Sequence, residues 1–163
     1  RADDFLPQHP APASDRLRGA ALTAGAVPLT ATPSVIGGIR GDCMELDIEV
    51  SLGKAAAVRL DVRCSNSGKT GASITISRGG LLSVGRATTL LGKNERYRLR
   101  VFLDKRVFEV YANDGLAALY GTTDAGRDDL GIAASAHGDG AELTAIKGWH
   151  LKPAEFDLSR FRT

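Results

Sequence analysis

Two carboxylates, Asp104 and Glu109, bracket a short turn in the run Asp104-Lys105-Arg106-Val107-Phe108-Glu109. Such a pair could share general acid and base work, one protonated and one ionised, but only in a pocket that drives their pKa values apart. Turn-shaping and ion-pairing are commoner fates, so the expectation is that Asp104 braces the turn through its side-chain oxygen and Glu109 holds a nearby arginine. A second set of charges alternates with apolar residues in two neighbouring runs: Glu45, Asp47 and Glu49, then Arg59, Asp61 and Arg63. Folded as a hairpin, these runs set Glu45 against Arg63 and Glu49 against Arg59. They would form cross-strand ion pairs on a solvated face, worth about 0.2–1 kcal/mol each. Trp149, the only tryptophan, could offer a flat apolar surface to a ring-shaped ligand, and its alternation with Leu151 fits a core position equally well. Tyr97 and Tyr111 fall on strand faces and are expected to pack. His9, His137 and His150 lie far apart without zinc-ligand spacing, and Gly37-Gly38 and Gly79-Gly80 lack the following helix of a phosphate loop. No Ser-His-Asp arrangement can be asserted from the order of residues, and no cofactor or metal is expected.

The elements that must position these residues read as strands. Period-2 alternation runs through Cys43 to Val50, Ala57 to Cys64, Ala72 to Ser77, Tyr97 to Leu103, Arg106 to Ala112 and Leu116 to Tyr120. Between them fall turn sequences: Leu52 to Ala55, Asn66-Ser67-Gly68, Gly79-Gly80, Gly92-Lys93-Asn94, Asp104-Lys105 and Asn113-Asp114-Gly115. The last is a strong hairpin signal, because Asp-Gly tolerates positive φ. Two later runs, Leu130 to Ala136 and Leu143 to Leu151, are expected to close the second of two antiparallel sheets. No stretch carries a helical stripe. Cys43 falls on a polar face and Cys64 on an apolar one, which predicts two free thiols rather than a bridge, unless a bulge shifts the register. Ala20 to Ile39 reads as irregular with a short edge strand. Pro7, Pro10 and Pro12 make the first residues an arm. The expected organisation is an arm or linker at 1–19, a β-sandwich at 20–155 and a tail at 156–163.

Composition narrows the partners. The 163 residues are 43% hydrophobic and 25% charged with a net charge of +2, which fits one globular domain able to bury a core. Basic residues are interspersed with acidic ones, so neither nucleic acid nor an anionic membrane surface is an expected partner, and the apolar runs are too short to span a bilayer. The chain opens on Arg1 rather than Met, as a processed chain or a piece of a longer protein would.

The segment Leu99-Arg100-Val101-Phe102-Leu103-Asp104-Lys105-Arg106-Val107-Phe108-Glu109-Val110-Tyr111-Ala112-Asn113-Asp114-Gly115 resembles the C-terminal β-sandwich of glycoside hydrolase family 32, the invertases, inulinases and levanases. That family's phrase runs roughly L-R-[VI]-[FW]-[VL]-D-R-S-S-V-E-[VI]-F-x-N-D-G. Lys105 stands in place of its Arg, Arg106 and Val107 in place of two serines, and Phe108 in place of Val. Gly41 to Glu49, Val58 to Arg63 and Leu143 to Leu151 are similar to flanking strands of the same domain. The resemblance implies an all-β, concanavalin-like or jelly-roll-like antiparallel sandwich. In the family, catalysis belongs to an N-terminal β-propeller whose carboxylates sit in N-D-P-N, R-D-P and E-C signatures. None of these occurs here, Arg127-Asp128-Asp129 being the nearest look-alike.

By resemblance, then, the chain is a non-catalytic domain or subunit of a fructan-acting glycosidase. It would stabilise the propeller and help bind a fructan or sucrose-type carbohydrate, in an extracellular or periplasmic setting. The residues such binding would use are Asp104, Arg106, Glu109, Arg63, Glu45 and Trp149, since carboxylates and guanidinium groups hydrogen-bond sugar hydroxyls. A stand-alone fructan-binding lectin, like the related levan-binding modules, is the alternative. A self-sufficient enzyme on a concanavalin-like sandwich is disfavoured, because no strand carries a paired-carboxylate motif.

Overall fold

The computed structural model describes residues 6–69 and 71–153; the tail expected at 156–163 lies outside them. A 3-10 helix, Pro12–Leu17, leads into strands β1 (Arg18–Ala24), β2 (Val27–Pro28), β3 (Ser34–Arg40), β4 (Cys43–Ser51), β5 (Ala57–Cys64), β6 (Ala72–Ser77) and β7 (Leu81–Val84). Then come β8 (Ala87–Leu90), β9 (Arg96–Asp104), β10 (Val107–Ala112), β11 (Ala117–Thr122), β12 (Gly131–His137) and β13 (Glu142–Leu151). They form two antiparallel sheets. One runs β1-β13-β4-β9-β10-β11, with β2 also on β13; the other runs β3-β12-β5-β6-β7-β8. The architecture is the expected all-β sandwich.

Alternation builds the core directly. Met44, Leu46, Ile48 and Val50 of β4 and Tyr97, Leu99, Val101 and Leu103 of β9 are at most 1% exposed. They meet Val58, Leu60, Val62, Ile74, Ile76, Leu82, Val84 and Ile132 of the opposite sheet in one cluster. Tyr97 is thus a core residue whose hydroxyl donates to the Gly92 carbonyl (3.0 Å) and accepts from the Asn94 N–H (2.9 Å), so its one polar atom is satisfied.

Three expectations are corrected. β4 and β5 are not a hairpin: β4 lies between β13 and β9, and β5 between β12 and β6. The connection crosses from sheet to sheet, with Leu52 and Ala55 buried in it and Gly53 at φ +50. Two amphipathic strands facing one core from opposite sides carry the same alternation as two paired strands, so the pattern alone does not separate them. Likewise β12 and β13 enter different sheets rather than closing the same one. The segment Ala20 to Ile39 holds three strands, all at sheet edges, and Leu81–Leu90 forms a hairpin (β7, β8) that its short runs had not revealed.

Cys43 and Cys64 are free thiols, as expected, although β4 and β5 lie in different sheets and the register near Cys64 is irregular. Arg63 sits at φ +57, and the pairing of β12 with β5 slips between Gly131 and Ile132. Arg63 is therefore the extra residue of a bulge at the end of β5.

Turns are closed by backbone that side chains would obstruct. At Gly80 (φ +83) a Cβ would stand 2.1 Å from the Gly92 carbonyl oxygen, which belongs to backbone and cannot swing aside. Gly80→Ala is expected to destabilise the fold by about 2 kcal/mol or more, through left-handed strain and this clash, read as a lower midpoint in urea unfolding.

Candidate functional site

The outward face of the larger sheet gathers most of the polar residues singled out in the sequence. Register places Trp149 beside Glu45, Glu45 beside Phe102, Phe102 beside Glu109 and Glu109 beside Tyr120 in one row. The next row runs Lys147, Asp47, Arg100, Tyr111 and Ala118. Antiparallel pairing brings same-face side chains of neighbouring strands to within contact distance, so each row acts as a ladder.

Glu45 stands at the middle of this face and is 0% exposed. Its carboxylate accepts a fork from Arg18, Nε at 2.8 Å and Nη2 at 2.6 Å, and a further bond from Arg100 Nε. Asp15 in the 3-10 helix accepts from Arg100 Nη2 at 2.7 Å and lies 3.2 Å from Arg18 Nη2. The Arg18 guanidinium rests 4.3 Å above the Trp149 ring centroid and that of Arg100 5.2 Å from the Phe102 centroid, geometries that favour cation–π attraction. The face is thus not simply solvated. Its central carboxylate is roofed by an arginine from the first strand and an acidic residue from the arm. The expected pair of Glu45 with Arg63 does not form, because the two residues belong to different sheets.

Farther along, Asp47 is forked by Arg98 (3.0 and 2.8 Å), which holds its carboxyl below the usual carboxylate range against the opposing effect of partial burial. Glu49 accepts from Arg96 at 3.2 Å, not from Arg59, which instead donates to Asp61. The arm is tied down a second time, where the Gln8 N–H donates to the Gly115 carbonyl at 2.9 Å. That turn holds Asn113, Asp114 and Gly115 all at positive φ, as the Asn-Asp-Gly sequence foretold.

The other expected ligand-binding residues separate into four environments. Arg63 is 4% exposed and donates to three carbonyls, Asp129 (2.6 Å), Lys105 (2.6 Å) and Gly126 (2.8 Å), which joins β5 to the β9–β10 turn and the loop before β12. Asp104 and Glu109 both line an open groove of about 560 Å³ with Leu17, Cys43, Phe102, Val107 and Leu151. Glu109 accepts from the Tyr111 hydroxyl at 3.0 Å rather than from an arginine, and burial together with that carboxylate raises the Tyr111 pKa. Arg106 points to Asp124 at 3.1 Å on the exposed rim. Trp149 is half-buried beneath Arg18, so it lies on the outer face and not in the core. The site residues that sequence reasoning missed are Arg18, Asp15 and Arg100. Arg100 shares the alternation of Arg98, but its partner becomes visible only once β4 is known to pair with β9; Arg18 and Asp15 lay in the segment 1–19, read as an arm or linker.

No group of three or more His, Cys, Asp or Glu side chains suited to a metal occurs among the described residues. Nor is any helix among them long and apolar enough to cross a membrane.

The two sheets, with this strand order and an outer face ordered by internal ion pairs, define an antiparallel β-sandwich domain. The chain belongs to the family described as glycosyl hydrolases family 32, C terminal, whose model matches residues 14–150. It therefore corresponds to the non-catalytic C-terminal region of that family. No curated protein matches it. Among solved structures it is similar to sucrose-6-phosphate hydrolase from Lactobacillus gasseri, with a TM-score of 0.71 and 21% identity over 93% of this chain and 32% of that one. It is similar also to fructan 1-exohydrolase IIa from Cichorium intybus, with a TM-score of 0.75 and 14% identity over 93% of this chain and 39% of that one. Exo-inulinase from Aspergillus awamori gives a TM-score of 0.65 and 13% identity over 91% of this chain and 32% of that one. The chain spans between 32% and 39% of the length of these proteins. At such identities the likeness shows the fold.

Two outcomes follow from the geometry of this face. Glu45→Ala removes the carboxylate that both guanidinium groups share and leaves them only Asp15, and a loss of about 1.5–3 kcal/mol is expected in chemical denaturation. Asp47, whose folded pKa lies below its unfolded value, contributes stability that is complete above roughly pH 4 and fades as pH falls through the folded pKa. Asp47→Asn should flatten that acid limb of a stability–pH profile while leaving its shape above neutrality unchanged.

Proposed function

We propose that this chain is the accessory sandwich of a sucrose- or fructan-acting family 32 glycosidase, and that it steadies a catalytic propeller preceding it. The observation that carries the reading is the family match over residues 14–150. The clamped arm supports it: Asp15, bonded to Arg100, and Gln8, bonded to Gly115, lay the lead-in segment across the outer face of the larger sheet. A segment held at two points fixes the direction from which a preceding domain arrives, which a loose linker would not do.

The groove favours a second reading, that of a fructan-binding module. Asp104 and Glu109 present carboxylate acceptors on its wall, and Val107 and Phe102 give it an apolar floor, the mixture of surfaces on which sugar rings are held. The two readings separate in one experiment. The purified chain is titrated calorimetrically with levan, inulin oligosaccharides and fructose while released sugar is assayed, and in parallel it is mixed with a family 32 propeller lacking its own sandwich. The expected outcome is no sugar release by the chain alone and a raised Tm for the propeller. Saturable binding of an oligosaccharide, lost in Glu109→Gln, would establish the binding module; hydrolysis by the chain alone would overturn both.

A further inference from the structure

The groove of about 560 Å³ beside the β9–β10 turn is apolar where the rest of the outer face is ionic. Cys43, Asp104 and Val107 follow one another in register across β4, β9 and β10, and Leu17, Phe102 and Leu151 complete the floor. Val107 is 46% exposed. An apolar side chain left this open inside a concave surface marks a place where something packs.

The walls carry unmet negative charge. Lys105 is held by Asp42 at 2.9 Å and Arg106 by Asp124 at 3.1 Å, so neither cation of the adjoining turn serves Asp104 or Glu109. Among the described residues the Asp104 side chain has no hydrogen-bond or ion-pair partner, and Glu109 is met by the Tyr111 hydroxyl and not by a cation. Lys152 is the one cation among the described residues that line the groove, against two carboxylates.

The chain itself leads into this groove. β13 ends at Leu151, the Lys152 N–H donates to the Leu17 carbonyl at 2.8 Å, and Pro153, where the described residues stop, lines the groove. Residues 154–163 follow in the sequence as Ala-Glu-Phe-Asp-Leu-Ser-Arg-Phe-Arg-Thr. Phe156, Leu158 and Arg160 alternate there with Asp157 and Ser159, so an extended backbone puts two apolar side chains and a cation on one side.

We propose that residues 154–163 are the occupant of this groove, running from Pro153 across β4 and β9 towards β10. From β13 to β10 is three strand spacings, about 14 Å, and an extended chain advances about 3.3 Å per residue. Phe156 then falls over Cys43 and Phe102, Leu158 over Val107, and Arg160 just beyond, beside the Glu109 carboxylate. A segment joined to the domain at Pro153 acts at an effective concentration on the order of millimolar, so contacts too weak to hold a free peptide are populated. Any sugar held in the groove has first to displace the segment.

Cys43 supplies the probe, because its half-buried thiol lines the groove while Cys64 has no exposed surface. The rate of iodoacetamide labelling at Cys43, located by peptide mass, is measured in the folded whole chain and in a chain ending at Pro153. It is measured also in the double variant Phe156→Ser, Leu158→Ser, which keeps every charge and so leaves the ionisation of the thiol unaltered. Labelling about fivefold or more faster is expected in both, as local opening of a covering segment gives, with Cys64 unlabelled as the sign of an intact fold. Val107→Asn, on the other side of the contact, should speed labelling of the whole chain but add nothing in the chain ending at Pro153. Should the shortened chain not fold, the two whole-chain variants decide. Equal rates in the whole chain and the double variant, or a Val107→Asn effect as large without the segment as with it, overturn the proposal.

Discussion

A carboxylate with no exposed surface, at the centre of a sheet face that sequence alternation assigns to solvent, is the constraint around which the rest of this molecule is arranged. Burying an ionised group costs several kcal/mol unless opposite charge and hydrogen bonds meet it in good geometry. Glu45 is met by Arg18 and Arg100, and those two residues come from β1 and β9, which flank β13 and β4 in the sheet. The ion cluster therefore requires the strand order that the core also requires. It requires the arm as well, because Asp15 shares both arginines and leaves neither with an excess of positive charge. Arginine suits the position better than lysine would, since its planar fork matches a carboxylate and can lie flat on Trp149 and Phe102.

A second tie joins the two sheets at the turn of the β9–β10 hairpin. Arg63, displaced from the strand by a bulge, spends its guanidinium on carbonyls of the β9–β10 turn and of the loop before β12. Such carbonyls would otherwise lose their water without gaining a donor. Lys105 of the same turn, at φ +56, bonds Asp42 through both its N–H and its ammonium group, and the ammonium lowers the Asp42 pKa. The groove beside this turn thus has a rigid wall, while its floor of Phe102, Val107 and Leu151 is simply the part of the outer face that the arm leaves uncovered.

These two ties bear on the role proposed above, that of an accessory domain steadying a preceding one. A module that orients a neighbour needs a lead-in segment that cannot swing and a face whose side chains are already locked, so that little side-chain entropy remains to be lost on contact. The ladder of Asp47–Arg98 and Glu49–Arg96 pairs supplies such a face, and its mutual neutralisation matches the low net charge of the whole chain.

Alternation in Cys43 to Val50, Ala57 to Cys64 and Tyr97 to Leu103, together with Asn113-Asp114-Gly115, determined by itself that this protein is an antiparallel all-β sandwich. Side chains of period 2 have one way to bury their apolar half, and positive φ at Asn-Asp-Gly makes a hairpin. The same local information could not say which strands are neighbours, because pairing across a sheet and facing across a core leave identical patterns in a strand. Only the tertiary structure decided that β4 lies beside β9 and not β5. With that choice it decided that Glu45 meets Arg18 and Arg100, that Arg63 serves backbone carbonyls, and that Asp104 and Glu109 share a groove. Those contacts join residues up to 66 positions apart. Ion pairs over such distances are set by where the folded backbone carries the charges, which no spacing in the sequence encodes.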